Sequence, residues 1–207
     1  MSEGASEPVF DLSGGALCLD LVNTVPDWPR ASRDKLPDYR ALLAWSRQSG
    51  TIAPHVAPRL ERSAVRRPRQ ARQVFERALE LRALLYRIFA PLAAGKNPAP
   101  KDISAFNKEL ADALARARIT PSEDGFAWSW SGPDDALDRL LWPVLRSAAD
   151  LLTSDDRERI GQCDLETCSW FFIDRSRGRR RRWCDMKGCG NRNKARRHYA
   201  RQKSARS

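Results

Sequence analysis

Histidine is almost missing from this chain. The two present, His55 and His198, stand in unrelated contexts, and no histidine–carboxylate metal motif appears. A phosphate-binding glycine loop and a nucleophile elbow are missing as well. The carboxylates are scattered over helix faces, the usual solvated arrangement. These absences point away from an enzyme. Long apolar runs are also lacking. The most apolar helical stretch, "ALDRLLWPVLRSAADLLTS", is interrupted by Asp138, Arg139, Arg146 and Asp150, which excludes a membrane-spanning helix. The opening "MSEGASEPVF" is acidic and has neither the basic start nor the apolar stretch of a secretory signal. The expectation is a cytoplasmic protein with no membrane partner, in a compartment where thiols stay reduced.

What is present is a foldable body and an uneven charge. Of 207 residues, 42% are apolar and seven are tryptophan, enough for a real core. The formal net charge is +11, and its placement says more than its size. Residues 163–207 carry 14 Lys and Arg against 4 Asp and Glu, a net +10, whereas the other 162 residues carry 23 against 22. Arginine outnumbers lysine 30 to 7 throughout, so composition explains part of the arginine preference but not its clustering. A concentrated basic segment of this kind is the electrostatic footprint of a polyanion-binding module.

The first 160 residues read as mostly helical. "LSGGALCLDLVNTV" contains an apolar run after Gly14-Gly15, read as a helix in preference to a strand. Asp38 is placed to cap a helix over "YRALLAWSRQSG" that stops at Gly50. Val74, Ala78, Leu81, Leu85, Ile88 and Leu92 form an amphipathic stripe that Pro91 bends or ends. Ile103, Phe106, Leu110, Leu114 and Ala117 mark the next helix, with Asp102 as its cap. Phe126, Trp128 and Trp130 alternate with small residues, which reads as half of a hairpin carrying a core-facing aromatic ladder. A helix over 136–153 follows, and the polar "TSDDRER" marks a boundary between a body, residues 1–160, and a terminal unit, residues 161–207. The fold class is mainly α with minor β.

Five cysteines occur, in unequal settings. Cys18 lies alone in an apolar run and reads as a small buried hydrophobe. The others form C-x4-C at Cys163 and Cys168, a 15-residue gap, and C-x4-C at Cys184 and Cys189. Two thiol pairs joined by a hairpin-sized insert describe a tetrahedral thiolate site for one structural Zn2+. An iron–sulfur cluster and disulfides are the alternatives. In the insert, "SWFFID" and "RRRWC" read as two paired strands turning at Gly178, with Trp170, Phe172 and Trp183 covering the metal. A helix through "RNKARRHYARQK" starts beyond Cys189. The whole suggests a treble-clef-like finger.

Residues 162–203, with the literal "CGNR" from Cys189 to Arg192, resemble the CGNR zinc finger. The preceding "LSGGALCLDLVNTV" and "YRALLAWSRQSG" resemble the ABATE domain of stress-induced transcription regulators. The resemblance implies a bacterial, zinc-containing, DNA-binding regulator of transcription that responds to stress.

Read from the residues, Arg179, Arg180, Arg181 and Arg182 on the insert and Arg192, Lys194, Arg196, Arg197 and Arg201 on the helix are the candidate nucleic-acid contacts. Ala195 and Tyr199 are placed to pack back on the insert. Duplex DNA is the leading partner. RNA, or an acidic protein partner of a zinc-stabilised module, remains an alternative. The helical body would then be sensory or dimerising, with a homodimer doubling the base contacts. Asp20, Asn23 and Thr24 either line a pocket for a small-molecule effector or satisfy the helix end and turn before Pro26, the second being favoured.

Overall fold

The computed structural model describes residues 8–204. Their elements, in chain order, begin with α1 (Leu17–Val22), α2 (Tyr39–Gln48), α3 (Ala57–Arg66), α4 (Pro68–Ala93) and α5 (Pro100–Leu114). A hairpin of β1 (Ala117–Ser122) and β2 (Gly125–Trp130) leads through a 3-10 turn to α6 (Trp142–Thr153). Strands β3 (Ile160–Gln162) and β4 (Phe171–Ile173) and the last helix, α7 (Asn191–Ser204), complete the order. The mainly helical class stands, with two small antiparallel sheets, β1–β2 and β3–β4. No helix among the described residues is long and apolar enough to cross a membrane.

Helix α4 is the spine of the body. Its stripe buries Val74, Ala78, Leu81, Leu85 and Ile88, and the helix ends two residues past Pro91. Trp45 of α2, Trp142 of α6, Phe89 of α4 and Phe171 of β4 are the bulkiest fully buried side chains of the core around it. Each large apolar side chain withdrawn from water contributes roughly 1.5–3 kcal/mol before entropy is counted. The same core includes Ile160 and Ile173 from β3 and β4, so the second sheet is packed into the helical body.

Local signals fixed several ends. The Asp38 carboxylate accepts from the Ala41 N–H at 2.8 Å, capping α2. The run after Gly14-Gly15 is a buried helix, α1. Gly14 has no room for a side chain, because a Cβ there would sit 2.8 Å from the Asp20 carboxylate, while Gly15 takes a φ of +86°. Cys18 is fully buried in this helix, and burial pushes its thiol up to about 12.

Four expectations need correction. Asp102 does not cap α5. That helix starts at Pro100 with Ala99 as its cap, and Asp102 is buried in the first turn, where Arg87 donates to it at 2.9 Å. The apolar face of α5 is shorter than its spacing suggests, because Leu114 is exposed and Ala117 already belongs to β1. The aromatic ladder of β2 does not enter the core: Phe126 is 78% exposed, Trp128 is 47% exposed with Arg146 over its ring, and half-buried Trp130 packs against Trp142. Alternation requires one face to differ from the other, but it does not supply a neighbour for either.

The fourth correction concerns the cysteine insert. "RRRWC" forms no strand, and β4 pairs with β3 upstream, Ile160 opposite Ile173 and Gln162 opposite Phe171. The apolar partners of β4 lie in the body core, which the polar arginine run cannot replace. Positive φ falls on Arg179 (47°) and not on Gly178. The Asp174 carboxylate organises that turn, accepting from the N–H of Ser176 and of Arg181, both at 2.9 Å.

Candidate metal centre and nucleic-acid interface

Each thiol pair is held by its own local device. The β3–β4 hairpin carries the first, with the Cys163 N–H donating to the Trp170 carbonyl at 2.9 Å and the Cys168 N–H to that of Leu165 at 2.7 Å. In the second pair, Cys184 precedes and Cys189 lies within one turn of π-helix, Met186–Gly190, whose start is capped by Asp185 through the Gly188 N–H. At Gly190 a Cβ would lie 2.8 Å from the Met186 sulfur, so a larger residue there would have to displace that side chain. Arg181 closes the loop between the pairs: its guanidinium donates to the carbonyls of Trp183 and Cys184 and lies 4.3 Å from the centre of the Phe172 ring.

The four sulfurs, from Cys163, Cys168, Cys184 and Cys189, lie within 4.8 Å of one another. Cys168 and Cys184 are 3.8 Å apart, and Cys184 and Cys189 3.4 Å. A zinc ion bound at about 2.3 Å by four thiolates in a tetrahedron requires sulfur–sulfur edges of about 3.8 Å. The spacing fits. Leu165 and Phe172, with Trp170 and Trp183 packed beside them, wall the cluster from water. Among themselves the sulfurs share protons unequally. Hydrogen bonds from Cys168 and Cys184 hold the Cys163 thiol far below the ordinary range, and the same bonds push those two thiols up. One central cation is what allows all four to be thiolates together. Arg192 donates to the Cys189 sulfur at 3.3 Å, which makes the arginine of "CGNR" part of the cage wall.

The candidate nucleic-acid residues divide by what they touch. Arg181 is committed to the loop, as described. Arg182 pairs with Asp164 at 2.7 Å, Arg196 with Glu166 at 2.6 Å, and Arg179 lies 4.0 Å from Glu158. Exposed pairs of this kind are worth about 0–1 kcal/mol and exchange readily for a phosphate. Arg180 and Lys194 are exposed and have no carboxylate within ion-pair distance among the described residues. The side chains of Arg197 and Arg201 lie outside those described. Tyr199 is 70% exposed and does not pack back on the insert, a further correction.

Asp20, Asn23 and Thr24 are buried, and all three have protein partners. The Asp20 carboxylate accepts from the Gly14 N–H at 2.8 Å. The Thr24 hydroxyl donates to the Leu21 carbonyl at 2.7 Å and accepts from Arg82 at 2.8 Å. Arg82 is itself buried and ion-paired with Asp34. Asn23 reaches furthest along the chain: its Nδ2 donates to the Phe171 carbonyl at 2.9 Å, and its Oδ1 accepts from the Phe171 N–H at 2.8 Å. Ser169 adds a second stitch, its hydroxyl accepting from the Trp28 N–H at 2.7 Å. Arg33 adds a third, to the Thr167 carbonyl. Sequence reading did not find this seam, because no local pattern joins residues nearly 150 positions apart.

Burial raises the Asp20 carboxyl to about 6, against the opposing bond from Gly14. The folded state then holds this proton more tightly than the unfolded chain, so ionisation removes stability as pH rises through about 6. Asp20→Asn keeps an acceptor for Gly14 and cannot ionise. It is expected to stabilise the protein by about 1–3 kcal/mol at pH 8, with the gain shrinking towards pH 4. Thermal melts of both proteins across that range decide it, and a gain independent of pH would refute the assignment.

A walled four-thiol cage leading into a basic helix, fused to a helical body, defines a zinc-finger protein. Two family models match the chain accordingly: the CGNR zinc finger over residues 159–202, and ABATE, described as "Putative stress-induced transcription regulator", over residues 15–155. The chain therefore belongs to the ABATE family and carries a CGNR zinc finger, with four cysteines positioned for one structural zinc ion. These families are regulatory and not enzymatic. A comparison with curated proteins finds no match.

Proposed function

We propose that the protein is a cytoplasmic, stress-responsive transcription regulator that binds duplex DNA through its zinc finger. Residues 161–207 form the DNA-binding unit, and residues 1–160 the regulatory one. The carrying observation is the placement of uncompensated charge on the metal-held unit. Arg177, Arg180, Lys187 and Lys194 are exposed there and have no carboxylate partner among the described residues. Arg182 and Arg196 are held by exposed ion pairs, Arg182 also lying over the Trp183 ring. Zinc fixes the loop and the helix relative to each other, so these cations meet a phosphate backbone without first being ordered.

Affinity for duplex DNA should fall steeply with salt, because each phosphate neutralised releases counterions. Four to six such contacts give a slope of roughly −4 to −5 in log affinity against log salt concentration. Fluorescence anisotropy with labelled duplex and with structured RNA, at several salt concentrations, measures this. Tighter binding to RNA would replace DNA as the partner, and no binding to either polymer in dilute buffer would end the proposal.

A further inference from the structure

The β1–β2 hairpin is an arm with an uncovered apolar side. Its register pairs Ala117 with Trp130, Ile119 with Trp128, and Pro121 with Phe126, so all six side chains share one face. The opposite face carries Arg118, Thr120, Ser122, Gly125, Ala127 and Ser129. The body holds the base of the arm, where Trp130 packs against Trp142 and the Ser131 N–H donates to the Arg116 carbonyl at 2.7 Å, and beyond it reaches the arm through Arg146. Arg146 lies 4.0 Å from the centre of the Trp128 ring, yet Trp128 stays 47% exposed, with Ile119 at 55% and Phe126 at 78%. An exposed face built of Phe, Trp and Ile is the composition of a protein–protein contact and not of a solvated surface.

We propose that this face binds the same face of a second copy of the chain. Charge selects the occupant. The arm's tip is acidic, Glu123-Asp124, and neither carboxylate has an ion-pair partner among the described residues. Its base offers one uncompensated cation: Arg116 lies over the Trp142 ring at 4.9 Å with no carboxylate at ion-pair distance among the described residues, whereas Arg139 beside the same ring is held by Asp134. Two such arms packed face to face about a two-fold axis perpendicular to them run antiparallel, so each acidic tip meets the other's Arg116. The apolar centres coincide in the same arrangement. A nucleic acid stacking on these rings would instead meet the repulsion of Glu123 and Asp124. The finger joins the body through β3 and β4, which follow the C-terminal end of α6, whereas the arm packs against Trp142 at the start of that helix.

Sedimentation equilibrium of the full chain across micromolar concentrations tests the pairing. The wild type should dimerise reversibly. Trp128→Ser and Phe126→Ser, at exposed positions, should each weaken association at least tenfold while leaving the circular dichroism spectrum unchanged. Glu123→Arg with Asp124→Arg, or Arg116→Glu alone, should weaken it similarly, and mixing the two charge-reversed proteins should restore a heterodimer. A wild type that stays monomeric overturns the proposal. So does a dimer indifferent to Trp128→Ser, or a mixture that fails to recover. If Trp128→Ser lowers DNA affinity under monomeric conditions, the face is a nucleic-acid platform and the dimer assignment falls.

Discussion

Cys184→Ser is expected to strip the metal and melt the end of the chain, but not all of it. Zinc content, measured by plasma mass spectrometry, should drop from one ion per chain to a small fraction. Serine is a poor ligand, and the three remaining thiols would need a fourth donor to close the tetrahedron. Structural zinc supplies on the order of 10 kcal/mol or more to a finger of this size, far beyond what the small cluster of Leu165 and Phe172 can replace. Residues 160–173 should nevertheless stay protected from amide exchange, because Ile160, Phe171 and Ile173 are packed in the body core. Residues 174–204 should exchange freely. Affinity for duplex DNA should fall at least a hundredfold at low salt. A variant that loses zinc yet keeps both protection and affinity would show that the metal does not organise the basic surface.

Asn23→Ala is expected to be the most damaging single change outside the cage. It leaves the buried N–H and carbonyl of Phe171 without partners, at a cost of about 1–3 kcal/mol for each group. For a chain of this size that corresponds to a fall in Tm of roughly 5–15 °C. The lost groups sit at the seam, so amide protection should fall first in β3 and β4 and only later in α2 and α4. Equal loss everywhere would mean that Asn23 serves the body core alone. Asn23→Asp distinguishes geometry from donor count, since it keeps the acceptor for the Phe171 N–H but cannot donate to its carbonyl.

The features legible in the sequence were those written in short spacing. Two C-x4-C pairs name the cage because the chain needs only one tight turn to bring each pair together, and a 3.6-residue stripe names α4 because its neighbours all lie on one side. Partners distant along the chain were not legible. "SWFFID" reads equally well as pairing forwards or backwards. The deciding contact is Ile173 with the body core, which no local pattern records. Asn23 likewise looks like an ordinary helix-end residue until Phe171 arrives beside it. Among the arginines, equal charge hid unequal duties: Arg181 and Arg192 support the cage, while Arg180 faces solvent. Strand alternation revealed that β2 has two different faces, but not that the apolar one stays largely exposed beyond Trp130.

In the proposed DNA-binding role, the seam also determines how the protein would search a genome. A finger hung on a flexible linker samples many orientations and tolerates sites at varied distances. Here Asn23, Ser169 and Arg33 fasten the first knuckle directly to the helical mass, leaving no slack. The reach and heading of the basic helix are therefore inherited from the body like those of a tool on a fixed handle. Any bending of α1 or of the 24–36 segment re-aims the finger at once, with no tether to absorb it.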